Sequence, residues 1–395
     1  MRRAGFWAAG ICAVLPLAMP AVQAAPRGVQ ADAADAAQLV ARAEELLAAT
    51  QKYFGAGDGT GLYREVWPAH SPDGAHADEW PFSQVHIGVL DLSSVPGGAR
   101  YSAVLKAHQA AQQLYWIDRS ATGLPGFASR VGPPHGRGGD LYYDDNDWVG
   151  LAAIQHWGLH KDAASLDRAK AIFALVRAAW DDNPQHPHPG GLFWTQQRGN
   201  SDRNTVSNMP AAQLGVRLYQ ATGDKAYLAD ALRFYRWAQG ALQRPDGLYF
   251  DHLDNSGRID GRIFSYNQGV PIGVNVRLYQ ATGEAKYLAE AKRIAAASFA
   301  YFAEGKRLDH HSMPFNAIWF KNLLLLESAT GGTRYRDAMR DYAERMWRDR
   351  RDPKTGLFVR SSGAHRGEMQ LIDQGAMLQI FAVLAWDPKD YGHLY

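Results

Sequence analysis

Two adjacent carboxylates, Asp144 and Asp145, stand in the run Tyr142-Tyr143-Asp144-Asp145-Asn146-Asp147-Trp148, with aromatic residues on both sides. A pair of this kind suits cleavage of a glycosidic bond, in which one carboxylate attacks or activates water while the other delivers a proton. Neighbours at the start of a helix can splay to the roughly 5–5.5 Å separation of a retaining glycosidase. Mutual repulsion raises one pKa, leaving a protonated acid beside an ionised nucleophile. Aspartate is also a favoured cap and first-turn residue, so the pair alone equally describes a capped helix. Asp181-Asp182, in a loop rich in Pro and His, reads as structural in that sense, and Asp147 is expected to cap the helix or hold Asp145.

Three further stretches carry groups that can meet sugar hydroxyls: Asn204-Thr205-Val206-Ser207-Asn208, Ser265-Tyr266-Asn267-Gln268-Gly269 and Asp373-Gln374-Gly375. Asn204 and Asn267 are in addition natural helix caps. Gln268 and Gln374 fall on apolar faces, where a buried amide requires partners. With the aromatic platforms, the candidate binding set is Tyr143, Trp148, Asn204, Asn208, Tyr266, Asn267, Gln268, Asp373 and Gln374. Trp67, Trp80, Trp148, Trp194 and Trp319 lie in or near long loops, and two or three of them are expected to line a cleft by stacking on pyranose rings. His186-Pro187-His188 and His310-His311 have neither i,i+4 spacing nor a nearby cysteine, so no metal site is expected. The chain has no Gly-rich phosphate loop after a strand and no Gly-x-Ser-x-Gly elbow, and no cofactor is expected.

The elements that must position these residues repeat. Val216-Arg217-Leu218-Tyr219-Gln220-Ala221-Thr222-Gly223 recurs 60 positions later as Val276-Arg277-Leu278-Tyr279-Gln280-Ala281-Thr282-Gly283, and Glu327-Ser328-Ala329-Thr330-Gly331 is a weaker copy. Each copy describes an apolar helix stopped at glycine with a second helix close behind, the unit of a stacked helical array. Twelve helices are predicted, the first over Asp35–Phe54 and the last over Met369–Ala385. Those starting near Asn146, Val206, Gln268, Phe315 and Met369 are apolar on most sides and should be buried, whereas their partners are one-sided. Loops entering the buried helices are long, which gathers them at one end. The pattern predicts an all-α (α/α)6 toroid of six helical hairpins over residues 35–395, with inner-helix N-termini favouring negative charge at the loop-bearing end.

Composition bounds the rest. Hydrophobic content of 46% supports a large core, and 21% charged residues is ordinary. Arg2 and Arg3 precede an apolar run closed by Val22-Gln23-Ala24, so residues 1–24 read as a secretory signal peptide, followed by a short polar stretch over 25–34. No second segment is apolar for long enough to span a bilayer. Loss of the leader lowers the formal charge from +2 to 0 and removes the sole cysteine, Cys12. An exported monomer without disulfides is expected, periplasmic or extracellular, acting on a polysaccharide or oligosaccharide and with no affinity for nucleic acid.

Taken in order, Tyr142 to Trp148, Asn204 to Asn208, Tyr266-Asn267-Gln268-Gly269 and Leu371-Ile372-Asp373-Gln374 resemble glycoside hydrolase family 76, over roughly Asp140 to Trp386. The resemblance implies endo-α-1,6-mannanase activity on an (α/α)6 fold. It implies Asp144 as nucleophile and Asp145 as general acid/base of a retaining double displacement. Transglycosylation, as in fungal relatives, is a variant of the same chemistry. Two other readings fit the residues. A different (α/α)6 glycosidase acting on an acidic exopolysaccharide would use Arg198, Arg203, Arg258 and Arg262, and a non-catalytic homologue would bind glycan without turnover.

Overall fold

The computed structural model describes residue 1 and residues 27–69, 76–360 and 366–395, side chains of 27–34 excepted. The expected leader from residue 2 onward, with Cys12, lies outside the described residues. Among the described residues twelve α-helices follow in order: α1 Arg27–Phe54, α2 Glu79–Ser93, α3 Ser102–Gln112, α4 Tyr143–His160, α5 Ala163–Arg177 and α6 Thr205–Thr222. They continue as α7 Lys225–Leu242, α8 Tyr266–Thr282, α9 Ala285–Phe299, α10 Met313–Thr330, α11 Arg334–Asp349 and α12 Leu371–Leu384. The first helix starts at Arg27 rather than Asp35, so residues 27–34 of the expected polar stretch are helical.

The even-numbered helices form the inner ring. Each packs on the next, and α12 closes onto α2. Every residue of α12 is buried, as an inner helix requires, whereas α11 buries only Met339, Tyr342, Ala343 and Met346 on a stripe of one-turn spacing. Ring closure depends on small residues. A Cβ on Gly375 would stand 2.7 Å from the Gln84–Val85 backbone of α2, and one on Gly269 would stand 2.6 Å from Trp319 Cα of α10. At α6 and α8 the repeated Thr-Gly stops the helix with glycine in left-handed conformation, φ 76° at Gly223 and 73° at Gly283.

The long loops meet at one end and knit through short strand pairs. Val66–Trp67 pairs with Met369–Gln370, and Arg203–Asn204 joins His252–Leu253 and Ile259–Asp260 in three strands. Four inner helices grip these loops with the same device. A carboxamide near the helix start bonds both the N–H and C=O of one loop residue and the carbonyl four residues earlier. Asn146 holds Phe127, Asn208 holds Leu192, Gln268 holds Tyr249 and Gln374 holds Phe358, at 2.7–3.4 Å. One acceptor and two donors match a peptide unit plus one spare carbonyl, so each amide replaces a missing strand neighbour. Gln374→Leu leaves the buried Phe358 amide without partners and is expected to cost about 2–4 kcal/mol, read as a lowered denaturant midpoint.

Candidate active site

Asp144 and Asp145 occupy the first turn of α4, one turn earlier in the helix than the predicted start near Asn146. They are half-buried at the floor of a cleft of about 750 Å³. Its walls come from the entry loops and the heads of neighbouring inner helices: Trp80, Tyr142, Trp194, Phe264, Tyr266 and Phe315 supply aromatic faces. Tyr266 stacks on Phe315 at 3.9 Å, and Trp194 meets Tyr142 edge-on at 5.0 Å. A second cavity of about 480 Å³ adjoins the first across Trp80, Phe264 and Phe315 and is lined in part by His310, Arg360 and Asp373.

The two aspartates have different surroundings. Trp194 Nε1 donates to Asp144 Oδ2 at 3.0 Å. Burial raises the Asp144 pKa, and this indole together with the backbone N–H groups of the first turn pulls it back. Asp145 is pushed further up by burial and then by the charges of Asp144, Glu79 and Asp78. Across the cleft, Asp251 accepts from Asn267 Nδ2 at 2.9 Å and from His252 Nδ1 at 3.0 Å. That contact, outweighing burial, raises the His252 pKa. Glu65 sits at the edge between the two cavities, its pKa lifted to about 7 chiefly by burial.

Several expected ligands have other duties. Asn208, Gln268 and Gln374 are fully buried loop clamps and do not line the cleft. A buried amide was rightly expected to need partners, and those partners are backbone groups. Tyr143 turns into the core, while Tyr142, in the extended conformation of the N-cap, faces the cleft. The strand-like step before a helix sends successive side chains to opposite sides. Asn267 reaches the cleft through Asp251, and Asp373 forms a bidentate pair with Arg360 beside the second cavity. Trp148, Asn204 and Tyr266 do line the cleft, although Trp148 is 1% exposed and shows it only an edge. Of the five tryptophans, Trp80, Trp148 and Trp194 line it; Trp319 is core and Trp67 packs on Tyr53.

Sequence reading missed Asp202, Asp251, His252, Phe264 and Phe315. Their signal was faint: Asp202, Asp251, His252 and Phe264 are ordinary residues in long entry loops and Phe315 stands in the first turn of α10, without spacing to set them apart. Asp251, His252 and Asp260 bring potential ligand atoms within 4.8 Å of one another. Arg262 already bonds Asp260 at 2.8 Å and approaches Asp251 at 3.5 Å, so a guanidinium supplies the positive charge a cation would bring.

A model of glycosyl hydrolase family 76 matches residues 41–381. The chain belongs to this family. Among curated relatives, mannan endo-1,6-alpha-mannosidase DCW1 of Saccharomyces cerevisiae is 29% identical over 146 residues, 35% of this chain and 32% of that one. The DCW1 protein of Candida albicans is 30% identical over 159 residues, 36% and 34% of the two chains. The chain thus aligns with about a third of the length of these relatives. A family 76 mannosidase of Bacteroides thetaiotaomicron superposes with TM-score 0.76 at 22% identity, over 88% of this chain and 98% of that one. An inactive α-1,6-mannanase of Salegentibacter sp. HEL1_6, with two consecutive aspartates changed to alanine, was solved with alpha-1,6-mannotetrose; it superposes with TM-score 0.70 at 20% identity, over 88% and 98%. At these identities the superpositions speak for the family 76 fold, the (α/α)6 toroid.

Trp194→Phe keeps the aromatic edge against Tyr142 and removes the N–H from Asp144. Loss of a donor to the charged form raises a carboxyl pKa. The acid limb of kcat/KM against pH is therefore expected to move upward by about half a unit to one unit, with roughly tenfold lower kcat.

Proposed function

We propose that the protein is a retaining glycoside hydrolase cleaving internal α-1,6-mannosidic bonds. One observation carries the reading. Two first-turn aspartates share the floor of an aromatic cleft in unequal environments, Asp144 with a donor on one oxygen and Asp145 pushed further toward its acid form. Asp144, the more readily ionised, attacks the anomeric carbon while Asp145 protonates the departing glycosidic oxygen. The resulting mannosyl ester on Asp144 has inverted configuration. Asp145, now a carboxylate, takes a proton from water; that water attacks the same carbon and frees Asp144, so the product keeps the α configuration.

Charge favours a neutral glycan. Glu65, Asp78, Asp140, Asp144, Asp145, Asp202 and Asp251 line the cleft against Arg130 and Arg262, which are paired with Asp78 and Asp260. An acidic polysaccharide would meet like charge. Arg203, once a candidate to hold one, is fully buried and ties Asp181 to loop carbonyls, and Arg258 pairs with Asp254. The mannotetrose complex of the Salegentibacter aspartate variant supports the same linkage. Export through the leader-like residues 1–24 belongs to this proposal.

Purified protein is expected to shorten linear neutral α-1,6-mannan and to leave anionic exopolysaccharides intact. Proton NMR at early times should show the α anomer first. Initial β product would exclude the double displacement, and cleavage of acidic polymers alone would overturn the substrate.

A further inference from the structure

Asp147 lies three residues beyond Asp144 on α4 and is fully buried. Side chains at this spacing share a helix face, with Cβ atoms about 5–6 Å apart. Neither carboxyl oxygen of Asp147 has a hydrogen-bond partner among the described residues, and Asp144 Oδ1 is also buried without one. Asp144 Oδ2, by contrast, takes the Trp194 indole at 3.0 Å. Three unpartnered carboxyl oxygens therefore sit on one face at the head of α4. Ionised, Asp147 would be a second buried negative charge with nothing to balance it, a costly state. Protonated, it has an O–H to give, and Asp144 one helical turn back offers an acceptor that lacks a donor.

On the reading of Asp144 as nucleophile, we propose that Asp147 is a positioning residue held in its acid form, whose O–H secures Oδ1 of Asp144 as Trp194 secures Oδ2. One donor on each oxygen keeps the attacking carboxylate both oriented and charged. Burial and the Asp144 charge push the Asp147 pKa upward together, which agrees with the acid form. The groups that bear on the pair are Asp145 on the same turn, Asp251 across the cleft and Tyr266 at the head of α8. Glu79 of α2 and Asp78 act on Asp145. The first turn of α6 brings the uncharged Thr205, Ser207 and Asn208, the buried residues of α5 are Ser165, Ala169, Ile172, Phe173, Leu175 and Val176, and Tyr395 stands against Trp148.

Two measurements on the full-length enzyme test this. Infrared difference spectra of wild type against Asp147→Asn at neutral pH are expected to contain the carbonyl band of a protonated carboxyl, present in the wild type alone. In pH profiles on linear α-1,6-mannan, Asp147→Leu is expected to move the acid limb of kcat/KM up by about one unit and lower kcat about tenfold with KM within about twofold. Asp147→Asn still offers an N–H and should return the limb to within about 0.3 units of wild type. Asp147→Ala reads the same limb should the leucine variant not fold. An absent infrared band, a limb that moves downward in Asp147→Asn, or an unmoved limb in the leucine or alanine variant would each overturn the proposal. Absence of any mannan cleavage by the wild type would remove the catalytic reading instead, while the infrared arm still decides the state of Asp147.

Discussion

Asp144→Asn is expected to slow cleavage of α-1,6-mannan by about 10⁴-fold or more while the protein becomes slightly more resistant to heat. The rate falls because an amide cannot form the glycosyl ester, and aspartates acting as a pair are not replaced by one remaining member. The gain in stability follows from linkage. The folded-state pKa of Asp144 is raised by burial, so its ionised form is less stable in the folded protein than in the unfolded chain. A carboxyl of this kind contributes stability below its unfolded pKa that is lost as pH rises through the folded pKa. Removing its charge therefore helps at neutral pH and helps little near pH 4. A melting point higher by roughly 1–3 °C at pH 7, with the difference shrinking on acidification, is the expected pattern. A variant that kept the wild-type rate would strip Asp144 of the nucleophile role. A non-catalytic glycan binder would have no rate to lose.

The largest expected loss of stability lies away from the cleft. Lys321 of α10 and Asp91 of α2 form an ion pair at 2.8 Å with both side chains wholly buried, bridging the ring from one hairpin to another. Gln155 donates to the other Asp91 oxygen at 2.8 Å, Gln379 approaches the ammonium at 3.4 Å, and the Tyr395 ring lies beneath it at 3.9 Å. Burial drives the Asp91 pKa up and the Lys321 pKa down, and each charge opposes the drift of the other. Lys321→Met removes the counter-charge and leaves Asp91 alone in the interior, with an expected loss of about 3–5 kcal/mol at pH 7. The sign with pH is again that of a raised carboxyl: the deficit is smaller below the unfolded pKa of Asp91 and grows as pH rises. Adding Asp91→Leu should recover most of the loss, since two apolar side chains need no compensation. Denaturant midpoints of the two variants at pH 4.5 and pH 7 check the prediction. Equal losses for the single and double variants would mean that packing, rather than charge, is at stake.

How much of this was legible depended on whether a signal was local. The repeated Leu-Tyr-Gln-Ala-Thr-Gly, the alternation of apolar and one-sided helices and the long entry loops named the toroid, because helix periodicity and glycine stops act within a few residues. The Asp144-Asp145 pair was readable for the same reason, and its place at the mouth of an inner helix followed from the loop pattern. The amides were legible in position and misread in duty. Gln268 and Gln374 do sit at helix mouths, yet their three hydrogen-bonding groups are spent on backbone that only folding brings near.

The sequence by itself determined the helical ring, the acidic pair and the aromatic setting, since each rests on spacing along the chain. Tertiary structure alone decided which of Tyr142 and Tyr143 faces the cleft, that Trp194 bonds Asp144, that Asp251 stands opposite, and that Asp147 is buried without a hydrogen-bond partner one turn from Asp144. Those outcomes depend on which loop from a distant hairpin arrives at each helix head, and on what is left out of reach of water once it has. Residue type tells what a side chain can donate or accept; only its neighbours in space determine whether it is asked to.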